Sequence, residues 1–358
     1  MKTADEAFDG IKRIVDEIKG IRGTYALLRK LSSINGANIS GELLDRVMYS
    51  FETLPPLGKE YWWFLFFGRD GRQLMLLLFR KFGNSMVFTG EDIALKKINR
   101  SAFQAVTAGW IYDGKRMRDL EVTNPIMVAS PREKVMTSEI SDQKIIFEGS
   151  FPEYELKIDG LVHLKMTEGD LLENRDAHGV FIPPFGVGWV DVYSNAEGDL
   201  LGEEFVGTAH LQKVVGIMPY GPFHWARVVF QNGSTVSFFC LKTGKGSKRY
   251  FHRSMNFYDH EAKRYIRFKK PGLKISEEEG KTPMWIIEGW DEDNELRIVL
   301  KAYAEKRFTM NSGGSQVYTE YAVTSSEFSF RTKDQTITSQ DLGEGIGTLE
   351  DAYGSPIF

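Results

Sequence analysis

The chain has 358 residues, 13% of them aromatic, and a formal net charge of −4. That length exceeds what one core comfortably buries and suits two domains with a short appendage. The slightly acidic balance and scattered basic residues give no electrostatic reason to expect nucleic acid or an anionic membrane as partner. The single cysteine, Cys240, excludes an internal disulfide, and its apolar setting Phe238-Phe239-Cys240-Leu241 reads as an inert thiol.

The first ~50 residues read as helical. Phe8, Ile11, Ile14, Val15 and Ile18 recur at helical spacing, and a second helix is expected after Ser40, with Leu43, Leu44, Val47 and Met48 on one face. Pro55-Pro56 ends this region. The N-terminus is charged and amphipathic, without the apolar stretch of a signal peptide. No apolar run approaches the roughly 20 residues of a membrane helix, so the expectation is a soluble, cytoplasmic protein with no stable membrane insertion.

From Glu60 the pattern changes to strands. The apolar runs Tyr61–Phe67 and Gln73–Phe79 flank Gly68-Arg69-Asp70-Gly71, which predicts a hairpin. Asp113-Gly114, Asp159-Gly160, Glu168-Gly169-Asp170 and Asn195-Ala196-Glu197-Gly198 read as further turns between short β-like segments. Many short strands with frequent turns predict a barrel or sandwich, not alternating β and α units. The stretch Gly202–Lys242 then supplies a glycine-led strand, a Pro/Gly crossing, and a hairpin about Asn232-Gly233, whose type I′ form would need positive φ at both residues. Strands are expected again at Tyr265–Phe268, Met284–Trp290, Leu296–Leu300 and Val317–Val323.

An internal repeat emerges from this pass. The hairpin Tyr61–Phe79 matches His224–Leu241, and the glycine-led strand Gly202–His210 (GEEFVGTAH) matches Gly343–Glu350 (GEGIGTLE). Each half would open on a hairpin and close on a glycine-led strand, giving a mainly β chain of two tandem domains after a short helical segment. The expected boundaries are a helical N-terminal segment at 1–56, a first β-domain at 57–213 and a second at 214–358.

At these residues the chain resembles the lipocalin-like double-domain family of AttH-like proteins and carotenoid hydratases (hydroxyneurosporene synthases). The resemblance rests on Tyr61-Trp62-Trp63 with Asp70-Gly71, on Gly207-Thr208-Ala209-His210, on His224-Trp225 leading to Asn232-Gly233, and on Gly345–Glu350. It implies two lipocalin-like β-barrels with an apolar pocket in or between them, and isoprenoid or polyketide ligands. The sequence departs from the hydratases in one place. They carry an aspartate soon after the second hairpin, whereas Val236–Leu241 has no carboxylate and the nearest candidate is Asp259.

Four residues are expected to carry acid–base chemistry: His210, His224, Glu204 and Glu350. His210 and Glu350 end the two glycine-led strands and so become counterparts that could face a shared cavity. Glu204 shares the parity of His210 along its strand. Against this, each could merely cap a barrel end or sit in solvent. Trp62, Trp189, Trp225, Tyr258, Glu288, Trp290 and Glu320 are the expected ligand-binding residues, with exposure or core packing as the plainer reading. The six histidines (His163, His178, His210, His224, His252 and His260) match no zinc spacing, so no metal is expected. No phosphate loop, dinucleotide fingerprint or nucleophile elbow occurs, so no cofactor is expected either. The functional expectation is a cofactor-independent enzyme, of lyase or isomerase type, working by hydration, cyclisation or isomerisation on a hydrophobic small molecule. The alternative is a non-catalytic binder or carrier of such a molecule. Oligomeric state and the role of the N-terminal helices are left open.

Overall fold

The structure is a computed structural model that describes residues 4–34, 36, 39–140, 143–169, 175–219, 221–242, 250–268, 271–276, 282–311 and 315–354. The expected turn at Ser312–Ser315 and the basic stretch after Lys242 fall largely outside them. So do the side chains of Phe8, Ile11, Ile14 and Val15.

Two helices open the chain, Ala4–Ile34 and Gly41–Met48. Ser40 caps the second by accepting the Leu43 N–H at 3.2 Å, which satisfies one of the otherwise orphaned donors of the first turn. Leu31, Leu44, Val47, Met48 and Tyr49 are buried and join the interior of the first sheet. The first helix lies close against that sheet because glycines make room for it. A Cβ on Gly179 would sit 2.8 Å from the Ser32 nitrogen, and one on Gly188 would sit 2.9 Å from Leu31 Cδ1.

All strand pairings are antiparallel, in two curled sheets of thirteen and twelve strands. The middle of the first sheet runs Phe185–Leu200, Glu203–Ile217, Gly58–Gly68, Gln73–Lys81 and Val106–Tyr112. The second runs Thr235–Lys242, Phe223–Phe230, Gly345–Gly354, Ser315–Arg331 and Glu295–Asn311. The sheets are stitched together, since Ser85–Phe88, which lies between two strands of the first sheet in sequence, pairs with Glu295–Asn311 of the second. Asn195–Gly198 is no turn; it lies within the long strand Phe185–Leu200, paired on both sides.

The repeat read from the sequence is present in detail. In each half the closing strand pairs with the opening strand of the hairpin. Gly207 and Gly347 occupy equivalent places. A Cβ there would meet the carbonyl oxygen of Phe67 at 2.1 Å or of Arg227 at 2.0 Å, so both closing strands need glycine where they cross their hairpins. The hairpin turns are also alike, but they are not type I′. Only the glycine of each pair has positive φ, 86° at Gly71 and 90° at Gly233. The Gly71 N–H donates to Gly68 O and the Gly233 N–H to Phe230 O. Asp70 Oδ1 accepts from Arg72 N at 3.0 Å, and Asn232 Oδ1 from Ser234 N at 2.9 Å. This is the three-residue loop in which a type I turn is followed by one left-handed residue, so a single glycine suffices. Gly71→Ala adds a Cβ that meets nothing within 4 Å. Its expected cost is therefore the backbone term alone, about 1–2 kcal/mol, and an unchanged urea midpoint would show that the turn carries no such strain.

Candidate functional site

The two sheets pack face to face through alternate residues of their central strands. Trp63, Leu65, Phe67, Met75, Leu77 and Phe79 meet Phe308, Met310, Tyr318, Ala322 and Ala352 in one apolar cluster. Within this seam the register aligns two rows of side chains. Across the first sheet, Tyr193, His210, Leu65, Met75, Trp110 and Asp119 are successive cross-strand partners. Across the second, the row is Phe239, Trp225, Glu350, Glu320 and Lys306.

The rows touch at three places. Trp225 stacks on the His210 ring with centroids 5.6 Å apart and planes at 26°. Trp110 Nε1 donates to Glu320 Oε2 at 3.1 Å. Lys306 Nζ lies 2.6 Å from Asp119 Oδ2. The expected counterparts His210 and Glu350 thus occupy equivalent strands and face the same seam.

His210 is the most developed group there. Its Nε2 lies 2.8 Å from Asp191 Oδ1, which also accepts from Gln212 Nε2 at 2.8 Å. The ring is held between Tyr193, with centroids 4.8 Å apart, and Trp225. Arg227 reaches across with its guanidinium carbon 4.0 Å from the centre of the Tyr193 ring. Burial pulls the His210 pKa below its ordinary value, and the hydrogen bond to Asp191 only partly opposes this. For Asp191 burial acts the other way, but the bonds from His210 and Gln212 together hold its carboxyl below the usual range. At neutral pH the pair is therefore an uncharged imidazole and a carboxylate. Asp191 accepts, so the His210 proton sits on Nε2. The buried Nδ1 has no hydrogen-bond partner and presents a lone pair. Beside it on the same face lie His178 and Asp176, with 3.7 Å between Nε2 and Oδ2.

The second group is a carboxyl pair. Glu320 and Glu350 are direct cross-strand partners, both buried. Glu320 also accepts from Thr348 Oγ1 at 3.0 Å. Burial pushes the Glu320 pKa up to about 8, against the hydrogen bonds from Trp110 and Thr348. Glu350 is raised well above the carboxylate range, first by burial and then by the charge of Glu320. Two carboxylates side by side in a dry seam cannot both ionise cheaply, so the pair retains a proton at neutral pH.

The other expected residues lie elsewhere. Adjacent strand residues face opposite ways, so Trp225 enters the seam while His224 turns into the second sheet's interior. There its Nδ1 is 3.5 Å from Asp351 Oδ1, Lys242 pairs with the same carboxylate, and burial pushes the histidine down to about 4. Cys240 lies directly across from it, its thiol pushed up to about 12 by burial, as suits an inert side chain. Glu204 keeps the parity of His210 but lies exposed beyond the seam, at an open hollow of about 420 Å³ shared with His163 and Lys165. Glu288 and Trp290 line another open hollow, of about 560 Å³, with Tyr250, Arg253 and Lys274. Neither hollow borders His210. Trp62 belongs to the first sheet's interior, where its Nε1 donates to Met48 O at 2.7 Å. Trp189 stacks on His178, and Tyr258 is buried toward the second hairpin's turn. The sequence reading missed Asp191, Tyr193, Arg227 and Trp110. The only available signal was the alternation Trp189-Asp191-Tyr193, which puts these side chains on one face of a strand.

No family model and no curated protein matches the chain. Among solved structures it is similar to CghA, with a TM-score of 0.49 and 11% identity over 90% of this chain and 95% of that one. It is also similar to kievitone hydratase from Nectria haematococca, at 0.46 and 11% over 90% and 96%. A protein assigned as AttH from Nitrosomonas europaea is similar at 0.44 and 11% over 82% and 91%. With its two tandem curled antiparallel sheets behind a helical segment, the chain is similar in fold to the lipocalin-like double-domain family that its motifs resemble.

Proposed function

We propose that this protein is a cofactor-independent acid–base enzyme acting on a hydrophobic isoprenoid- or polyketide-like molecule by hydration, cyclisation or isomerisation. Its chemistry would take place in the seam between the sheets. The observation that carries this reading is the His210–Asp191 pair. It is a neutral imidazole oriented by a carboxylate, with its second nitrogen free and aromatic rings on both faces. Such a group is equipped to take a proton in a dry environment, where one base counts for far more than in water. The aromatic faces of Tyr193 and Trp225 suit a polyene or a developing cation. The protonated Glu320–Glu350 pair on the facing row supplies an acid in the same seam. The seam is packed shut, so the sheets must part locally to admit a substrate.

Native mass spectrometry of protein purified from its own host identifies the molecule it carries, and turnover of that molecule is the test. His210→Ala is expected to reduce turnover by at least about 100-fold, and Asp191→Asn to reduce it while leaving binding intact. Wild-type turnover in both variants would overturn the assignment. The close packing around His210 favours a second reading, a carrier that binds without reacting. That reading predicts recovery of the bound molecule unchanged after prolonged incubation.

A further inference from the structure

One rim of the first sheet differs from the rest of this mildly acidic chain. The register Gly186–Ile217–Gly58 and the hydrogen bond from Phe82 N to Gly58 O bring the Ile182–Phe185 turn, Leu57 and Phe82 to the same end. The loop around Ile98 joins them. Leu95 N donates to Asn84 O, and Phe103 at the loop's far side lies under the guanidinium of Arg80 at 3.9 Å. Leu57, Phe82, Ile98, Ile182 and Phe185 are all exposed large apolar side chains, Ile182 at 70%.

The segments that build this rim are 18–34, 53–59, 80–90, 94–104 and 179–189. They contain lysines and arginines and no aspartate or glutamate. Arg22, Arg29, Lys30, Lys96 and Lys97 are exposed, and Arg29 lies 5.8 Å from the ring centre of Phe181 beside the apolar turn. The flanking carboxylates are engaged inside: Glu52 accepts from Thr24, and Glu60 pairs with Arg80 and Lys213. A net charge of −4 for the whole chain conceals this local reversal.

We propose that this rim is a docking face for an anionic lipid bilayer. Apolar side chains that project between cations can enter the headgroup layer while the cations meet lipid phosphates and carboxylates. A second copy of the chain fits poorly, because a two-fold contact would set this basic rim against itself. Nucleic acid would leave the isoleucines and phenylalanines in water. The inference is independent of the chemistry of the seam.

The test is sedimentation with vesicles of phosphatidylcholine alone and of an equimolar mixture with phosphatidylserine, using the full chain. Binding is expected to the mixed vesicles only, and to weaken as salt is raised. Lys96→Ala/Lys97→Ala should weaken it roughly 30-fold, and Ile182→Ser/Phe185→Ser should weaken it at unchanged far-UV dichroism. Equal binding to both vesicle types, no binding to either, or variants that bind like wild type would overturn the proposal. So would a dimer of the wild-type chain that these variants dissociate. Should a variant fail to fold, the wild-type comparison between vesicle types and salt concentrations still decides.

Discussion

Glu60→Ala is expected to destabilise the protein by about 3–5 kcal/mol. Glu60 is fully buried at the start of the first hairpin. Arg80 Nε donates to its Oε1 at 2.5 Å, and Lys213 Nζ lies 3.3 Å from Oε2. Both cations also reach back to the link between the helices and the sheet, Arg80 to Glu52 O and Lys213 to Ser50 O. The cluster therefore ties the helical segment onto the barrel end. Removing the carboxylate leaves two buried cations facing one another, which costs far more than the pair was worth. Part of the loss is recoverable. Burial already depresses the Lys213 pKa, with Glu60 and Glu52 opposing it, so without Glu60 the lysine can shed its proton. Lys213→Met, which leaves the Arg80–Glu60 pair intact and keeps an apolar chain over Trp62, should cost clearly less. Equilibrium urea unfolding decides: a Glu60→Ala loss below about 1 kcal/mol, the range of ordinary surface changes, would mean that the cluster is not essential.

The architecture was legible in the sequence because strand-and-turn patterning is local. Alternating or continuous apolar runs and Asp-Gly or Asn-Gly pairs mark hairpins within a few residues of chain. The repeat could be read because Gly207 and Gly347 answer the same steric demand, a closing strand crossing its hairpin at backbone contact distance. That repeat led to the equivalence of His210 and Glu350 without any view of the seam. The partners of these residues were not legible. Asp191 is 19 residues from His210 in sequence, and it meets His210 only through the register of two long strands, one of which had been read as broken by a turn at Asn195–Gly198. Glu320 was noted as an inward carboxylate, but only the pairing of its strand with the last one puts it beside Glu350. His224 and Trp225 were read as a unit, yet the pleat sends them to opposite faces. Short patterns reveal elements; cross-strand register decides which side chains meet.

Glu320→Gln and Glu350→Gln are each expected to flatten the pH dependence of stability, by removing a proton-linked cost from the seam. The sign follows from the raised pKa values. An unfolded glutamate titrates near 4.5, whereas burial raises Glu320 to about 8. Between those values the folded state holds a proton that the unfolded state has released. Folding stability must then fall with rising pH, by up to about 1.4 kcal/mol per pH unit for one proton. Below pH 4.5 both states are protonated and the cost vanishes. Above about 8 it has been incurred in full. His210 and His224 act oppositely, because burial lowers them and their deprotonation on folding favours stability as pH rises toward 6.5. Lys59, lowered to about 7 by burial, likewise acts oppositely above that pH. The informative quantity is therefore the difference between wild type and variant. Thermal or urea unfolding from pH 5 to 9 should show the variants gaining on wild type by a few kcal/mol toward pH 8. Parallel profiles would mean that neither carboxyl holds a proton in that range, and the seam would lose its acid. Since Trp110 bridges from the first sheet to Glu320, ionisation of the pair also loads the contact between the sheets. The proton that equips the seam for acid chemistry thus also helps to keep it closed.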